Sequence, residues 1–231
     1  MKRFTLSMKS IYEWIQKHLD SRMLWLLTAN IFTIAFILCA SELFENELCF
    51  FDNLIYHDLK TLISPGLTIG MKLISDLGSA YVLVAILAAF WVISFKKKYA
   101  LFYTKIMTVN LLAAAGMNFL FKVFFHRARP EILVLVHATG YSFPSGHSMV
   151  SVAFYGYLIY LSVILLQKPW KQLSSLLLSM LIFFIGLSRI YLGVHYASDV
   201  VGGFLAGLAW LALLLSIICQ PKGFLSQDKP K

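Results

Sequence analysis

The sequence predicts an all-α fold, a bundle of six transmembrane helices with an amphipathic outer interfacial helix between spans one and two. Three observations carry this reading. Hydrophobic residues make up 59% of the 231 residues and charged residues 13%, against roughly half and a quarter in soluble domains. The mean hydropathy is +0.76. The apolar residues fall into six runs, each near the roughly 17–25 residues that cross a bilayer. These figures exclude a disordered chain and argue against a soluble globular enzyme.

The elements follow in order. Residues 1–22 are polar and basic, with Lys2, Arg3, Lys9, Lys17 and Arg22. Span one, Met23 to Ala40, is too long for a signal-peptide core of about 7–15 residues. Leu38 stands where cleavage before Cys39 would want a small residue, so the helix is expected to be retained. Span two runs from about Ser79 to Phe95 and stops at Lys96-Lys97-Lys98; span three runs from about Ala100 to Phe125. Span four begins near Ser148 and ends before Gln167, span five covers about Leu173 to Leu192, and span six Ser198 to Cys219. The organisation predicted is a basic N-terminus (1–22), one six-span domain (23–219) and a short tail (220–231).

An even number of spans puts both termini on one side. With the termini inside, cytoplasmic pieces hold 14 Lys and Arg and the outer pieces six. The positive-inside rule then predicts cytoplasmic termini in a plasma-membrane protein. The net charge of +9 is thus a topology signal, and no nucleic-acid partner is expected. The three cysteines, Cys39, Cys49 and Cys219, form no C-x-x-C pair and indicate neither a disulfide framework nor a zinc site.

Between spans one and two, residues 42–78 are only partly apolar. Phe50, Phe51, Leu54, Ile55, Leu59, Leu62 and Ile63 recur at helical spacing beside Asp52, Asp58 and Lys60, as in a helix lying in an interface. Pro65-Gly66 is expected to break it. Two roles fit: a connection packed on the bundle, or a wall beside a lipid access path.

Ionisable residues in membrane spans are expensive and mark function by default. They gather here at the outer ends of spans three to six. Lys122 and Arg129 are two helical turns apart and share a face if the helix persists, while Pro130 is expected to mark its end. Two fixed cations suit an anion with several oxygens, although snorkelling towards head groups would also place them there. Tyr141 to Ser148 contains Pro144-Ser145-Gly146-His147. Ser145 reads as a helix cap, and Gly146 permits close backbone approach. Free N–H groups at such an N-terminus bind phosphate oxygens, and His147 would sit in the first turn. The third cluster holds Ser188, Arg189, His195 and Asp199. His195 and Asp199 are four apart, so a helix would stack them. They form either a polar pair docking two helices or an imidazole oriented by a carboxylate. Asp76 could orient the site from span two or simply face water. Gly203 and Gly207 suit close helix packing.

Together these clusters resemble the signature of the type 2 phosphatidic acid phosphatase superfamily: K-x6-R-P, then P-S-G-H, then S-R-x5-H-x3-D. The chain matches at Lys122, Arg129 and Pro130; at Pro144, Ser145, Gly146 and His147; and at Ser188, Arg189, His195 and Asp199. The core of the resemblance is residues 122–199. It implies a membrane-embedded phosphatase acting on a phosphorylated lipid. In that reading His195 attacks phosphorus and forms a phosphohistidine, Asp199 orients it, and His147 protonates the leaving oxygen. Lys122, Arg129, Ser145, Gly146 and Arg189 hold the phosphate. The cations come from side chains, so neither metal nor cofactor is expected. The site faces the exterior, and undecaprenyl diphosphate or phosphatidylglycerophosphate is the expected substrate. Two rivals remain: a lipid phosphotransferase with the same first half-reaction, and an anion or lipid transporter, which would scatter polar residues along midplane helix faces.

Overall fold

In hydrocarbon every backbone N–H and C=O must be paired within the segment, so apolar runs fold as helices. The computed structural model describes residues 20–45, 48–95, 98–131 and 134–218, and all regular structure among them is helical. The helices are α1 (Ser21–Glu45), α2 (Leu48–Lys60), α3 (Pro65–Leu77), α4 (Ala80–Ser94), α5 (Lys98–Phe125), α6 (Gly146–Leu165), α7 (Trp170–Tyr191) and α8 (Ala197–Ile218). The basic N-terminus through residue 19, Lys96-Lys97, Cys219 and the tail lie outside the described residues.

Five helices (α1, α5, α6, α7 and α8) are long and apolar enough to span a membrane on their own. The expected second span is different. Helix α4 has 15 residues, or about 22 Å at 1.5 Å per residue, short of a core about 30 Å thick. It reaches spanning length only together with α3, which it meets at a 48° bend. Pro65 is also more than a breaker. It occupies the first position of α3, where its missing N–H costs nothing, and Ser64 caps the helix by accepting from Leu67 N–H. The interfacial segment is therefore two helices rather than one helix and a loop.

Large apolar side chains such as Ile31, Ile34, Leu73, Val92, Leu112, Phe119 and Leu176 are exposed on the outer helix faces. So much exposed apolar surface has a lipid environment as its physical explanation. Inside, Leu83, Met107, Phe154, Tyr157 and Ile185 form the main core between α4, α5, α6 and α7. The buried Asn110 ties three helices, donating to Ala153 O (2.7 Å) and accepting from Trp210 Nε1 (2.8 Å). Helix α1 lies along α8, and α6 packs on both α7 and α8. The last contact depends on absent side chains. A Cβ on Gly203 would lie 2.7 Å from Ser145 O, and one on Gly207 2.7 Å from Met149 O.

Candidate active site

Helix α5 ends at Phe125, and the chain reverses through His126, at φ 49°. Arg129 is thus not on the α5 face with Lys122, as a persisting helix would have had it. The loop carries it back. Lys122, in the last turn, donates from Nζ to Tyr141 O (2.6 Å). Arg129 is held by three carbonyls: Nε to Gly140 O (3.0 Å), Nη2 to Thr139 O (3.0 Å) and Nη1 to Val194 O (2.7 Å). Its Nη1 also lies 3.3 Å from His195 Nε2. Neutral oxygens fix this guanidinium without cancelling its charge.

Ser145 is the α6 cap, with extended backbone and Oγ accepting from Ser148 N–H. Ser148 and Met149 N–H are thereby used; no partner for the N–H of Gly146 or His147 is seen among the described residues. The space a Gly146 Cβ would need is taken by Asn118 Oδ1, 2.9 Å away, and Asn118 Nδ2 donates to Pro144 O (3.1 Å). Asn118 lies one turn before Lys122, so α5 positions this loop from one face. The His147 ring packs on the bend between α3 and α4, where its Cδ2 would be 3.3 Å from a Gly78 Cβ.

His195 and Asp199 are brought together, but not by a shared helix. His195 lies in the loop before α8, and Asp199 is in the first turn of that helix. The Asp199 carboxylate reaches back to Tyr196 N–H (2.8 Å), the geometry of a capping box. That turns Oδ2 towards His195 Nδ1, 3.4 Å away. Ser142 Oγ donates to the same oxygen and lies 3.3 Å from Nδ1. The imidazole therefore has a carboxylate behind Nδ1 and the Arg129 cation before Nε2. Burial pushes the His195 pKa down to about 4, against the upward pull of Asp199; the ring is neutral at pH 7.

Arg189, in the last turn of α7, is buried. It donates from Nη1 to Ser75 Oγ, and its Nε has no partner among the described residues. A buried, unsatisfied cationic donor is costly unless an anion completes it. Asp76 is exposed; its neighbour Ser75 makes the contact to Arg189. The three motif segments converge through Ser142 and through Ser145 N–H, which donates to Asp199 O (2.9 Å). Among the described residues no group of three or more His, Cys, Asp or Glu is arranged to hold a metal ion.

Arg127 escaped the sequence reading, where it counted only as an outer charge. It donates from Nη1 to Asp199 Oδ1 (2.6 Å) and from Nη2 to Asp52 Oδ2 (2.8 Å). Burial works against its charge, and the two carboxylates outweigh burial, so its pKa is raised. Asp52 was read as the polar face of an interfacial helix, yet it is 1% exposed. Their separation of 75 residues in sequence leaves no spacing to find them by.

The PAP2 superfamily model matches residues 99–220, which holds every motif position above. The chain belongs to the PAP2 superfamily. Phosphatidylglycerophosphatase B of Bacillus subtilis is 38% identical over 94 residues, 40% of this chain and 46% of that protein. The undecaprenyl-diphosphatase of Sulfolobus acidocaldarius is 29% identical over 90 residues, 39% of each chain. The matches thus span less than half the length of either relative. The crystal structure of a transmembrane PAP2-type phosphatidylglycerolphosphate phosphatase from B. subtilis superposes with TM-score 0.71 at 27% identity, covering 87% of this chain and 98% of that one. The PAP2 protein is, like that neighbour, an integral membrane helical bundle.

Proposed function

We propose that the protein is a lipid phosphatase that hydrolyses a phosphate monoester or diphosphate on an outward-facing lipid, either undecaprenyl diphosphate or phosphatidylglycerophosphate. The observation that carries this is the setting of His195. Nε2 faces an uncancelled guanidinium at 3.3 Å while Nδ1 is backed by a buried carboxylate at 3.4 Å. An imidazole backed in this way has a fixed tautomer with its other nitrogen left nucleophilic. A cation beside that nitrogen draws in a phosphoryl group.

The steps follow. Arg129, Lys122, Arg189 and the free N–H groups of Gly146 and His147 take the phosphoryl oxygens and stabilise charge as it develops. Ser145 contributes by capping the helix that presents those N–H groups. His195 Nε2 attacks phosphorus, the phosphorus–oxygen bond to the lipid breaks, and His147 gives its proton to the departing oxygen. His147 then takes a proton from water as that water attacks the phosphohistidine. The nitrogen–phosphorus bond breaks, inorganic phosphate leaves, and His195 is regenerated. Side-chain cations do the neutralising, so no metal has a step to perform. The charge asymmetry of the loops supports cytoplasmic termini and a site on the exterior face.

The test is phosphate release by the purified protein in detergent. The panel is undecaprenyl diphosphate, phosphatidylglycerophosphate, phosphatidate and lysophosphatidate, each with and without an acceptor lipid, comparing kcat/KM. His195→Ala should abolish turnover and the acid-labile phosphoenzyme trapped by rapid quench. His147→Ala should slow lipid turnover by about 10²–10⁴-fold, and less for an aryl phosphate whose leaving group needs no proton. Phosphoenzyme surviving in His195→Ala but lost in His147→Ala on the aryl substrate would reverse the two roles. Phosphorylated acceptor lipid formed with no inorganic phosphate released would make the protein a phosphotransferase.

A further inference from the structure

Arg127 lies outside the motif positions, yet it is bonded to two carboxylates. Beyond its bonds to Asp199 and Asp52, Nη1 donates to Ser198 Oγ (2.7 Å), and the guanidinium carbon sits 4.3 Å over the Tyr196 ring. Asp52, on α2, also accepts from Ser198 N–H (2.9 Å) and Ser198 Oγ (2.7 Å). One turn further along α2, Tyr56 donates its hydroxyl to His195 O (2.8 Å). Helix α2 therefore grips both ends of the segment from His195 to Asp199.

We propose that Arg127 and Asp52 are positioning residues that lock the Asp199 carboxylate against His195 Nδ1, making the interfacial helix α2 a working part of the catalytic device. This rests on His195 being the nucleophile. Two arguments lead to it. The terminal torsion of an aspartate is soft, and Arg127 on Oδ1 fixes it so that Oδ2 points at the imidazole. The second argument is charge. Arg127 paired with Asp199 alone would cancel the negative charge that stabilises His195 as it turns cationic. Asp52 shares the guanidinium, so the three groups together keep a net charge of −1. Because both of its terminal nitrogens are spent on carboxylates, Arg127 is not a further phosphate ligand. Of the two roles open to the segment 42–78, this favours neither passive connection nor lipid wall.

The experiment compares Asp52→Asn, Arg127→Lys, Arg127→Gln and the double variant Asp52→Asn/Arg127→Gln with the active wild type. It measures kcat and KM on one lipid substrate, inhibition by inorganic phosphate, and the acid limb of kcat/KM against pH. The titratable and charged groups facing His195 are Arg129 at Nε2, Asp199 at Nδ1 and, further off, Lys122 and His147; all stay in place. Each single variant should lose roughly 10–100-fold in kcat, the range seen on removing a group that orients a metal-bound imidazole from one shell further out, with phosphate inhibition unchanged. Asp52→Asn makes the triple neutral, disfavours protonated His195 and moves the acid limb to lower pH. Arg127→Gln makes it −2 and moves the limb up. The double variant restores −1 and should return the limb to its wild-type position. Unchanged kcat in Arg127→Gln would overturn the proposal. So would limb shifts of one sign in Asp52→Asn and Arg127→Gln, or loss of phosphate inhibition in both Asp52→Asn and Arg127→Lys, which marks a purely structural clamp. A wild type that releases no phosphate refutes the parent reading instead, a separate outcome.

Discussion

Replacing Gly203 by alanine should separate activity from stability. Its Cβ would lie 2.7 Å from Ser145 O and 2.8 Å from Ser148 Cβ, where ordinary contact begins near 3.4 Å. Helix α8 must then move about 0.7 Å from the start of α6. Crowding of this kind costs about 1–3 kcal/mol, while alanine recovers about 1 kcal/mol of helix propensity. The net loss of stability is thus about 0–2 kcal/mol. The displaced atom is the carbonyl that accepts the first bond of α6, from Met149 N–H, and Ser145 N–H is itself bonded to Asp199 O. The shift therefore separates His147 from His195. A misplacement of about 1 Å can cost about 10²-fold, so kcat/KM should fall by about 10–50-fold. The assay is phosphate release in detergent beside a thermal melt of the same sample. Gly116→Ala is the control: nothing lies within 4 Å of its Cβ, and activity should be retained. Full activity in Gly203→Ala, or a loss no larger than the fraction unfolded, would refute the reasoning.

Three further outcomes are expected. His195 is held neutral with a pKa near 4, below the ordinary 6.5. Protons that the unfolded chain binds between those values are refused by the folded one, so stability falls as pH drops from about 6.5 to 4. The melting temperature of His195→Gln should fall less over that range; parallel curves would contradict the burial argument. Turnover should survive excess EDTA and be inhibited by orthovanadate; complete loss on chelation, restored by magnesium, would refute cation supply by Lys122, Arg129 and Arg189. Reporter fusions at Lys98 and Lys168 should report cytoplasm and one at Ala138 the exterior, and an external signal at Lys98 would invert the proposed topology.

What the sequence by itself determined is whatever has a local cause. Hydropathy located α1 and α5 to α8 to within a few residues, because lipid leaves an apolar run no alternative to a helix with paired backbone groups. The cap at Ser145 was legible for the same reason: a serine before a helical run has its partner three residues on. Motif spacing named Lys122, Arg129, His147, Arg189, His195 and Asp199 but left open whether a helix carries Arg129 on the face of Lys122 and stacks His195 on Asp199. Neither does: α5 ends at Phe125 and α8 begins at Ala197, so loops deliver Arg129 and His195. Helix α4 looked like a full span until its 15 residues met α3 at an angle, since hydropathy does not report direction. Only the tertiary structure decided that Asp52 is buried, that Ser142 and Arg127 hold Asp199, and that Ser75 rather than Asp76 meets Arg189. A salt bridge is a choice among distant partners made by packing. Asp52 alternating with apolar residues on α2 has the sequence pattern of a solvated face, and its burial exists only once Ser198, 146 residues away, closes over it.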